Sequence, residues 1–365
     1  MTAVPARGRG LPHLPGVVTA GELRATVDHI AGEQAADGLL PWFTGYHADP
    51  WDHVEAAMGL TVGGLPDEAR AAYRWSAATQ RPDGSWPMEI VGTEVREAAG
   101  DANQAGYLAV GVWHHRLVTG DERFARELWP TVRAALDYAV DLQRADGAIA
   151  WARDPAGAPA DEALLTGSAC LVLSLRCGLA LAEVVGDPQP HWELALGRLA
   201  HAVAVHPDAF ADRSRFSMDW YYPVLGGAVT GSAGRTLLAA RSDEFTVAGR
   251  GVRCVADRPW VTAAETSEFV LTLDALGEPA RAAALLRDVQ FLRDPDTGGY
   301  WTGWVFPEDV VWPQQLTTWT AAAVVLAADA LSDATPGSGL FRGEGLPPLP
   351  AVAACDEHCA APVHP

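Results

Sequence analysis

The sequence lacks any cluster of basic side chains. Its 365 residues carry 26 Lys plus Arg against 46 Asp plus Glu, so the formal net charge is −20 at pH 7. Binding to nucleic acid depends on a basic patch that contacts the phosphates, and the 26 cationic residues do not form one. The composition therefore argues against a nucleic-acid partner and favours neutral or cationic small ligands.

Long apolar runs and a paired cysteine framework are also missing. No window reaches the ~18 apolar residues that a membrane-spanning helix needs. Residues 1–17 contain no apolar core followed by a cleavage site. The five Cys are an odd number without a paired framework, which indicates a reducing compartment. We therefore expect a cytoplasmic protein without a membrane span.

Strand-like alternation is scarce, whereas apolar residues recur with helical spacing along most of the chain. Twelve segments are predicted to be helical: 20–35, 51–63, 66–81, 101–119, 122–143, 161–185, 190–206, 217–229, 233–242, 262–276, 278–292 and 315–332. Short turns and long, Trp-rich loops connect them alternately. Six helix pairs with the long loops at one end predict an all-α fold, an (α/α)6 toroid of six inner and six outer helices, because an open stack would leave terminal apolar faces uncovered.

The predicted toroid domain spans 20–335 and follows an N-terminal extension at 1–19. Residues 336–365 are rich in Pro and Gly and are predicted to form a mobile tail. Cys355, His358 and Cys359 in this tail have the residue types of a metal site, but a disordered tail is the favoured interpretation. We expect neither a metal nor another cofactor.

A short motif marks the beginning of the long loops. It occurs as Gln34-x-x-Asp37-Gly38, Gln80-x-x-Asp83-Gly84 and Gln143-x-x-Asp146-Gly147, with a looser copy from Gln290 to Trp301. We interpret it as the C-terminal stop of an outer helix, in which Gly supplies the left-handed cap. Each copy then points to the face of the ring where an inner helix begins, and the ligand site is expected on that face.

The first turns of the inner helices and the long loops carry carboxylates and large aromatic residues. We expect ligand binding by Trp51, Trp86, Asp101, Asn103, Asp219, Trp220, Tyr221, Glu265, Glu268, Trp301, Trp304 and Gln315. An Asp or Ser at a helix start is also a common N-cap, which stabilises by ~1 kcal/mol without any further function. Indoles beside carboxylates suit sugar rings, but aromatic walls also stabilise the carbocations of terpene chemistry. A sugar and an isoprenoid therefore both remain possible ligands.

The helix alternation, Trp51-Asp52 at a helix start and the runs at 119–147 and 316–331 resemble the six-hairpin glycosidases, the glucoamylase-like enzymes in particular. The stretch QRPDGSW at 80–86 is similar to the repeat of squalene–hopene-type cyclases and their prenyltransferase relatives, whose toroids share this architecture. The chain also resembles uncharacterised actinobacterial prenyltransferase-like proteins. These resemblances imply a carbohydrate-active protein, an isoprenoid-processing protein or a non-catalytic binding scaffold.

Glycoside hydrolysis needs two carboxyl groups, one neutral and one ionised, about 6.5–9.5 Å apart for inversion. The resemblance to glucoamylase-like enzymes implies an acid in the loop before the third inner helix and a base in the last long loop. This chain offers Asp154, Asp161 and Glu162 at the first position and Glu308 and Asp309 at the second. We take Glu162 and Glu308 as the catalytic pair, and Asp52 is implied to hold the substrate. His53 follows Asp52 and is a further acid–base candidate near neutral pH.

Overall fold

The computed structural model describes residues 10–349. The α-helices in this range are α1 (Ala20–Glu33), α2 (Pro50–Val62), α3 (Pro66–Thr79), α4 (Ala102–Gly106), α5 (Leu108–Thr119), α6 (Glu122–Val140), α7 (Leu165–Val185), α8 (Pro190–Val205), α9 (Ser217–Leu225), α10 (Gly231–Phe245), α11 (Ala263–Ala275), α12 (Pro279–Asp288) and α13 (Thr318–Ser332). Tyr107 separates α4 from α5, and the two form one interrupted inner helix. Each of the twelve predicted helices has its counterpart.

Helix boundaries follow from ordinary capping chemistry. Proline opens four helices, where its missing N–H costs no hydrogen bond and its fixed φ suits the first turn. These prolines are Pro50, Pro66, Pro190 and Pro279. Gly120 and Gly186 end α5 and α7 with φ values of 73° and 78°, which are left-handed and favour glycine.

The inner helices form a closed ring. Helix α2 packs against α5, α5 against α7, α7 against α9, α9 against α11, α11 against α13, and α13 against α2. The remaining helices α1, α3, α6, α8, α10 and α12 pack outside them. Every residue of α2 is buried, because this helix contacts other helices on nearly all sides. The predicted all-α toroid of six inner and six outer helices is confirmed.

The long loops contain short strands that the sequence did not predict. These are β1 (Glu89–Val91), β2 (Glu94–Glu97), β3 (Gly100–Asp101), β4 (Ala152–Arg153), β5 (Thr246–Val247), β6 (Gly251–Arg253), β7 (Trp260–Thr262), β8 (Gly303–Val305) and β9 (Val310–Val311). Strands β5 to β9 form one antiparallel sheet in chain order, while β1 pairs with β2 and β3 with β4. With two to four residues each, they are too short to show an alternating pattern.

The Gln-x-x-Asp-Gly motif joins neighbouring outer helices. Gln80 Nε2 donates to the backbone oxygen of Gly84 at 2.9 Å and to that of Thr131 in α6 at 2.9 Å. Gly84 has a φ of +94°, and a Cβ there would lie 2.1 Å from a backbone oxygen of α6. The copies at 34–38 and 143–147 make the same bonds to the next outer helix. The motif therefore ends one outer helix and fixes it to the middle of the next.

The looser fourth copy connects the last outer helix to the first. Thr26 Oγ1 in α1 donates to the backbone oxygen of Gly298 at 2.8 Å. Gly298 has a φ of +79°, and a Cβ there would lie 2.6 Å from the backbone of Ala25. Gln290 forms a local bond to Leu286 and accepts a hydrogen bond from Tyr300 instead. This copy closes the outer layer between α12 and α1.

Residues 336–349 pack against the end of the ring opposite the long loops. Leu340 in this segment is buried, and Phe341 closes the end of a central cavity. Arg342 bonds the carboxylates of Asp274, Asp333 and Glu344 at 2.7, 2.6 and 2.8 Å. This packing differs from the mobile tail that was expected from residue 336, because one buried leucine and one forked guanidinium fix the segment. Cys355, His358 and Cys359 lie outside the described residues.

Helix α7 is long and apolar enough to cross a membrane by length and composition alone, although the sequence analysis expected no such window. Its 18 most apolar residues are 72% buried inside the ring. Core helices of compact proteins meet the same criterion, so this helix is weak support for a membrane span.

Candidate active site

Two pairs of carboxyl groups point into the ring from α2 and α11, the inner helices on either side of α13. Asp52 and Glu265 stand in the first turns, at the end where the long loops lie, and we call them the mouth pair. Glu55 and Glu268 follow three residues later on the same helix faces, about 4.5 Å deeper, and we call them the deep pair. All four residues are buried, with 2–8% of their surface exposed.

Tyrosine hydroxyl groups bind the deep pair. Tyr107 donates to Glu55 Oε2 at 3.1 Å. Tyr222 donates to Glu268 Oε1 at 2.5 Å, and Tyr221 donates to Glu268 Oε2. Burial raises the pKa of Glu268 to about 8, although the two tyrosine bonds act in the opposite direction. Burial, followed by the charge of Glu268, raises the pKa of Glu55 well above its usual value.

The deep pair borders a small central cavity of about 10 Å³, which has room for roughly one water molecule. Tyr107, Cys170, Tyr222 and Phe341 also line it. No sugar fits in this space.

The mouth residue Asp52 lies beside Asp49, the N-cap of α2. Asp49 accepts hydrogen bonds from the backbone N–H groups of Trp51 and Asp52 at 3.0 and 2.9 Å and from Trp42 Nε1 at 3.2 Å. Burial first, and then the charge of Asp49 and the hydrogen bond between the two side chains, raise the pKa of Asp52 well above its usual value. Asp52 therefore retains its proton at a pH where an exposed carboxyl group has lost it, as a general acid requires.

The second mouth residue, Glu265, has few protein partners. The thiol of Cys254 lies beside it. Burial and the negative charge of Glu265 raise the pKa of this thiol, so it remains a neutral donor. A carboxylate with one weak donor is available to a ligand, in contrast to Glu268 with its two tyrosines.

Three aromatic rings pack together at the starts of α2, α5 and α13. Trp51 stacks on Tyr107, with ring centroids 4.4 Å apart and an angle of 18° between the planes. Trp319, in the first turn of α13, meets Trp51 edge-on at 6.2 Å. Trp51 is 7% exposed and belongs to the core of the ring, so its contact with a ligand stays a prediction.

Other predicted residues lie at the starts of neighbouring inner helices. Asp101 caps α4 through the backbone N–H of Gln104 at 2.9 Å, and burial raises its pKa to about 6. Asn103 Oδ1 is buried without a hydrogen-bond partner in the part of the chain that is described. Asp219 accepts bonds from Thr166 Oγ1 at 2.5 Å and from its N–H at 3.2 Å, which ties α9 to α7.

His53 faces away from the mouth. Its Nδ1 accepts a hydrogen bond from the backbone N–H of Leu40 at 3.0 Å, so the proton lies on Nε2, which donates to the backbone oxygen of Ala72 at 3.0 Å. Burial lowers the pKa of His53 to about 4. The side chain is therefore neutral and holds a loop against α3, and this geometry gives it no access to a ligand in the ring.

Two of the predicted tryptophans also point into the outer wall. Trp86 Nε1 donates to the backbone oxygen of Ser76 in α3 at 2.9 Å, and Trp220 Nε1 donates to that of Leu238 in α10 at 3.1 Å. Both indoles are at least 97% buried. They pack between helices, and the ligand-binding role expected for them has no support in this geometry.

The two carboxylates implied by the glucoamylase-like resemblance are exposed on loops. The Glu162 side chain is 58% exposed and lies 3.9 Å from Arg213. Glu308 is exposed in the turn between β8 and β9. Neither residue is among the groups whose charges affect the pKa values of the mouth and deep pairs. The structure therefore does not bring Glu162 and Glu308 together with the buried carboxyl groups.

The remaining predicted residues, in the last long loop, have mixed surroundings. Trp304 is buried and donates from Nε1 to Asp309 Oδ1 at 3.1 Å, beneath the guanidinium of Arg250. Trp301 is half-buried, and so is Gln315, whose backbone oxygen accepts two bonds from Thr302.

No protein-family model matches the sequence. The MMP endo-(1,4)-3-O-methyl-alpha-D-mannosidase of Mycolicibacterium hassiacum (strain DSM 44199 / CIP 105218 / JCM 12690 / 3849) is 55% identical over 337 residues, which cover 92% of this chain and 93% of the relative. This chain belongs to the family of that mannosidase.

Solved glycosidase structures share the fold of this mannosidase-family chain. A wild-type glycosidase superposes with a TM-score of 0.66 at 15% identity, covering 88% of this chain and 96% of its own. A variant in complex with glucose also gives 0.66, at 16% identity and coverage of 85% and 96%. A rhamnosidase from Klebsiella oxytoca gives 0.57 at 16% identity, covering 86% of this chain and 64% of its own. Identities this low show the architecture alone.

The resemblance to glycosidases is therefore confirmed, and the mannosidase-family chain is glycoside hydrolase-like. The expected kinship with prenyltransferase-like proteins is not supported, since the close relative is a mannosidase and these structural neighbours are glycosidases.

Glu55, Tyr107 and Tyr222 were not predicted from the sequence of the mannosidase-family chain as members of the site. A signal for Glu55 was present, because Asp52-x-x-Glu55 and Glu265-x-x-Glu268 repeat one spacing on two inner helices. A three-residue spacing places both carboxyl groups on the same helix face. The tyrosines carry no comparable signal, since each lies on a different inner helix or helix junction from its glutamate.

Proposed function

We propose that this chain is an endo-acting glycoside hydrolase that cleaves α-(1,4) linkages between 3-O-methyl-D-mannose units. The observation that carries this proposal is the 55% identity, over 92% of the chain, to a mannosidase whose name describes that activity. Buried carboxyl groups beside aromatic rings at the mouth of the ring suit a sugar substrate. An isoprenoid ligand would instead favour a dry pocket with at most one acid, and four carboxyl groups converge in this ring.

Asp52 and Glu265 take the catalytic roles in this proposal. Asp52 donates its retained proton to the glycosidic oxygen as the bond to the anomeric carbon breaks. The Glu265 carboxylate faces the developing positive charge and either takes a proton from the attacking water or attacks the anomeric carbon itself. This assignment replaces Glu162 and Glu308, because a buried position is what keeps one carboxyl group neutral at neutral pH.

Several neighbouring residues are proposed to bind the substrate. Trp51 offers an indole edge or face to a sugar ring, and Asp101, Asn103 and Asp219 offer oxygen atoms to hydroxyl groups. Trp301 and Gln315 remain predicted contacts at the rim. We also propose a cytoplasmic location, which agrees with the free thiols of Cys170, Cys177 and Cys254 among the described residues.

The test is hydrolysis of a defined α-(1,4)-linked oligosaccharide of 3-O-methylmannose, with products identified by mass spectrometry. Glu265→Gln is expected to lower kcat by about 10²–10⁴-fold, which is typical for loss of an acid–base or nucleophilic group. Glu162→Gln and Glu308→Gln serve as matched controls, because both are carboxylates on the same side of the ring, and we expect activity within a factor of about three of wild type.

Internal cleavage gives products of several lengths, whereas release of single terminal units would contradict the endo mode. Wild-type protein that leaves the methylated oligosaccharide intact would reject the activity. Full turnover by Glu265→Gln together with loss in Glu162→Gln or Glu308→Gln would reject the residue assignment while keeping the activity.

A further inference from the structure

Four aromatic rings form a continuous surface in the loop between α1 and α2. This loop, residues 41–47, is called the aromatic loop here. The Trp42 and His47 rings lie 4.3 Å apart, Tyr46 and His47 lie 4.6 Å apart, and Phe43 stacks on Tyr46 at 4.6 Å with 7° between the planes. Contacts among the four rings thus fix their arrangement before any ligand binds.

Backbone bonds hold the aromatic loop rigidly at the mouth. Thr318 of α13 donates its N–H to the backbone oxygen of Trp42 at 2.8 Å and its Oγ1 hydrogen to that of Pro41 at 2.7 Å. Thr44 donates from both N and Oγ1 to Glu33 Oε2 of α1, each at 2.6 Å. Attachment to two helices reduces the entropy that ordering the loop around a ligand would cost.

The protein core does not account for these aromatic residues. Tyr46 is 40% exposed, and Trp42, Phe43 and His47 are only partly buried. None of the four belongs to the hydrophobic cluster that fills the ring. A fixed and exposed aromatic surface is typical of a ligand-binding surface.

The aromatic loop is linked to Asp52 of the mouth pair through Asp49. Trp42 Nε1 donates to Asp49 Oδ2 at 3.2 Å, and Asp49 in turn contacts Asp52. The aromatic loop therefore adjoins the first turn of α2, which carries Asp52.

We infer that the aromatic loop is the subsite that recognises the 3-O-methyl group of the substrate, an inference that rests on the proposed function. Methylation replaces a hydroxyl hydrogen by a methyl group, which removes a hydrogen-bond donor and adds apolar surface. An aromatic face gains from covering that methyl group and offers no strong acceptor to the O–H of an unmethylated sugar. One added carbon in an apolar site gives about 10–200-fold discrimination, and an open surface belongs at the low end of this range.

The experiment compares kcat/KM for methylated and unmethylated α-(1,4)-mannose oligosaccharides of equal length. Wild type is expected to prefer the methylated substrate by about tenfold or more. Tyr46→Ala and Phe43→Ala are expected to lower that preference at least fivefold. Leu194→Ala is the control, because Leu194 is a 73% exposed apolar residue on the outer helix α8, and its preference should equal that of wild type.

Binding provides a second readout that does not depend on hydrolysis. Calorimetric titration with methyl 3-O-methyl-α-mannoside and with methyl α-mannoside should show the same preference in wild type and its loss in Tyr46→Ala. If wild type cleaves neither oligosaccharide but keeps this binding preference, the proposed function fails and the subsite stands. An unchanged preference in both loop variants, with melting temperatures near that of wild type, would overturn the inference.

Discussion

The mouth pair and the deep pair carry the same chemical groups on the same two helices, one turn apart, yet their surroundings differ sharply. Glu268 is held by two tyrosine hydroxyl groups and Glu55 by one. Asp52 and Glu265 have Asp49 and the Cys254 thiol as their side-chain neighbours. The deep carboxyl groups therefore have fixed donors from the protein, while the mouth groups are left for a ligand.

This difference separates a structural role from a catalytic one. A buried carboxyl group without partners costs several kcal/mol if it is charged, so the protein either neutralises it or binds it. The deep pair also acts on the mouth pair, because the charges of Glu55 and Glu268 contribute to the raised pKa of Asp52. The deep pair thus helps to keep Asp52 of the mouth pair protonated.

Replacing one carboxyl group of each pair by an amide is expected to give the largest difference in kcat. Asp52→Asn keeps the shape of the side chain but removes the acidic proton, so kcat should fall by about 10²–10⁴-fold. Glu55→Gln keeps an acceptor for Tyr107 and should leave kcat within about tenfold of wild type. Steady-state kinetics on the methylated oligosaccharide, with circular dichroism as a check of folding, measures both. Equal losses of kcat in the two variants would show that the mouth pair and the deep pair do not differ in their roles.

The pH dependence of stability gives a second and smaller effect. The pKa of Glu268 rises from 4.5 to about 8 on folding, so between these values the native state holds a proton that the unfolded state has released. The free energy of unfolding should then decrease as pH rises from about 4.5 to about 8, by at most about 1.4 kcal/mol per pH unit for one carboxyl group.

Buried histidines act with the opposite sign at lower pH. Folding lowers their pKa values from 6.5 to about 3–4, so their contribution to stability rises with pH up to about 6.5 and is then complete; these residues are His53, His114 and His115. Urea unfolding at pH 6.5 and 8.5 is therefore compared between wild type and Glu268→Gln, because the histidine contribution is common to both proteins and cancels. Wild type should be less stable at pH 8.5, and Glu268→Gln should show a smaller decrease. An equal decrease in both would show that Glu268 does not hold the proton.

The smallest effect is expected for an aromatic residue that faces the outer wall. Trp86→Phe removes the hydrogen bond to the backbone of Ser76 and should lower the free energy of unfolding by about 1–2 kcal/mol, from the bond and the lost volume together. Its kcat/KM should remain within a factor of two, since the indole is not at the mouth. A loss of kcat/KM beyond tenfold would indicate that Trp86 contacts the ligand and does not only pack between the helices.

The sequence was sufficient for the toroid, whereas the predicted site residues stay predictions, and helix geometry explains the division. Repeated loop lengths and helix starts identified the end of the ring that carries Asp52, Glu265 and Glu268. The direction of individual side chains was harder to predict. Asp52 and His53 are adjacent in sequence, but successive residues on a helix point about 100° apart, so only one of them can face the mouth.

Loop residues were predicted least well. Glu162 and Glu308 were chosen from a resemblance between families, and the conformation of a long loop leaves no periodic pattern that could confirm their burial. The aromatic loop was overlooked for a related reason. Its rings are adjacent in sequence and match neither helical nor strand spacing, and only the hydrogen bonds to α1 and α13 reveal that they form one surface.

The bond between Thr26 and Gly298 joins the end of the last helix pair to the first outer helix. A linear array of helix pairs can fray from its terminal repeats, and its unfolding can then proceed in stages. In this protein each outer helix that adjoins a motif copy is bonded to a neighbouring outer helix, and the last helix pair is bonded to the first. Because the inner helices also form a closed ring, loss of one helix pair exposes two new apolar faces at once. Thermal unfolding of the protein should accordingly be a single steep transition, with calorimetric and van't Hoff enthalpies in agreement.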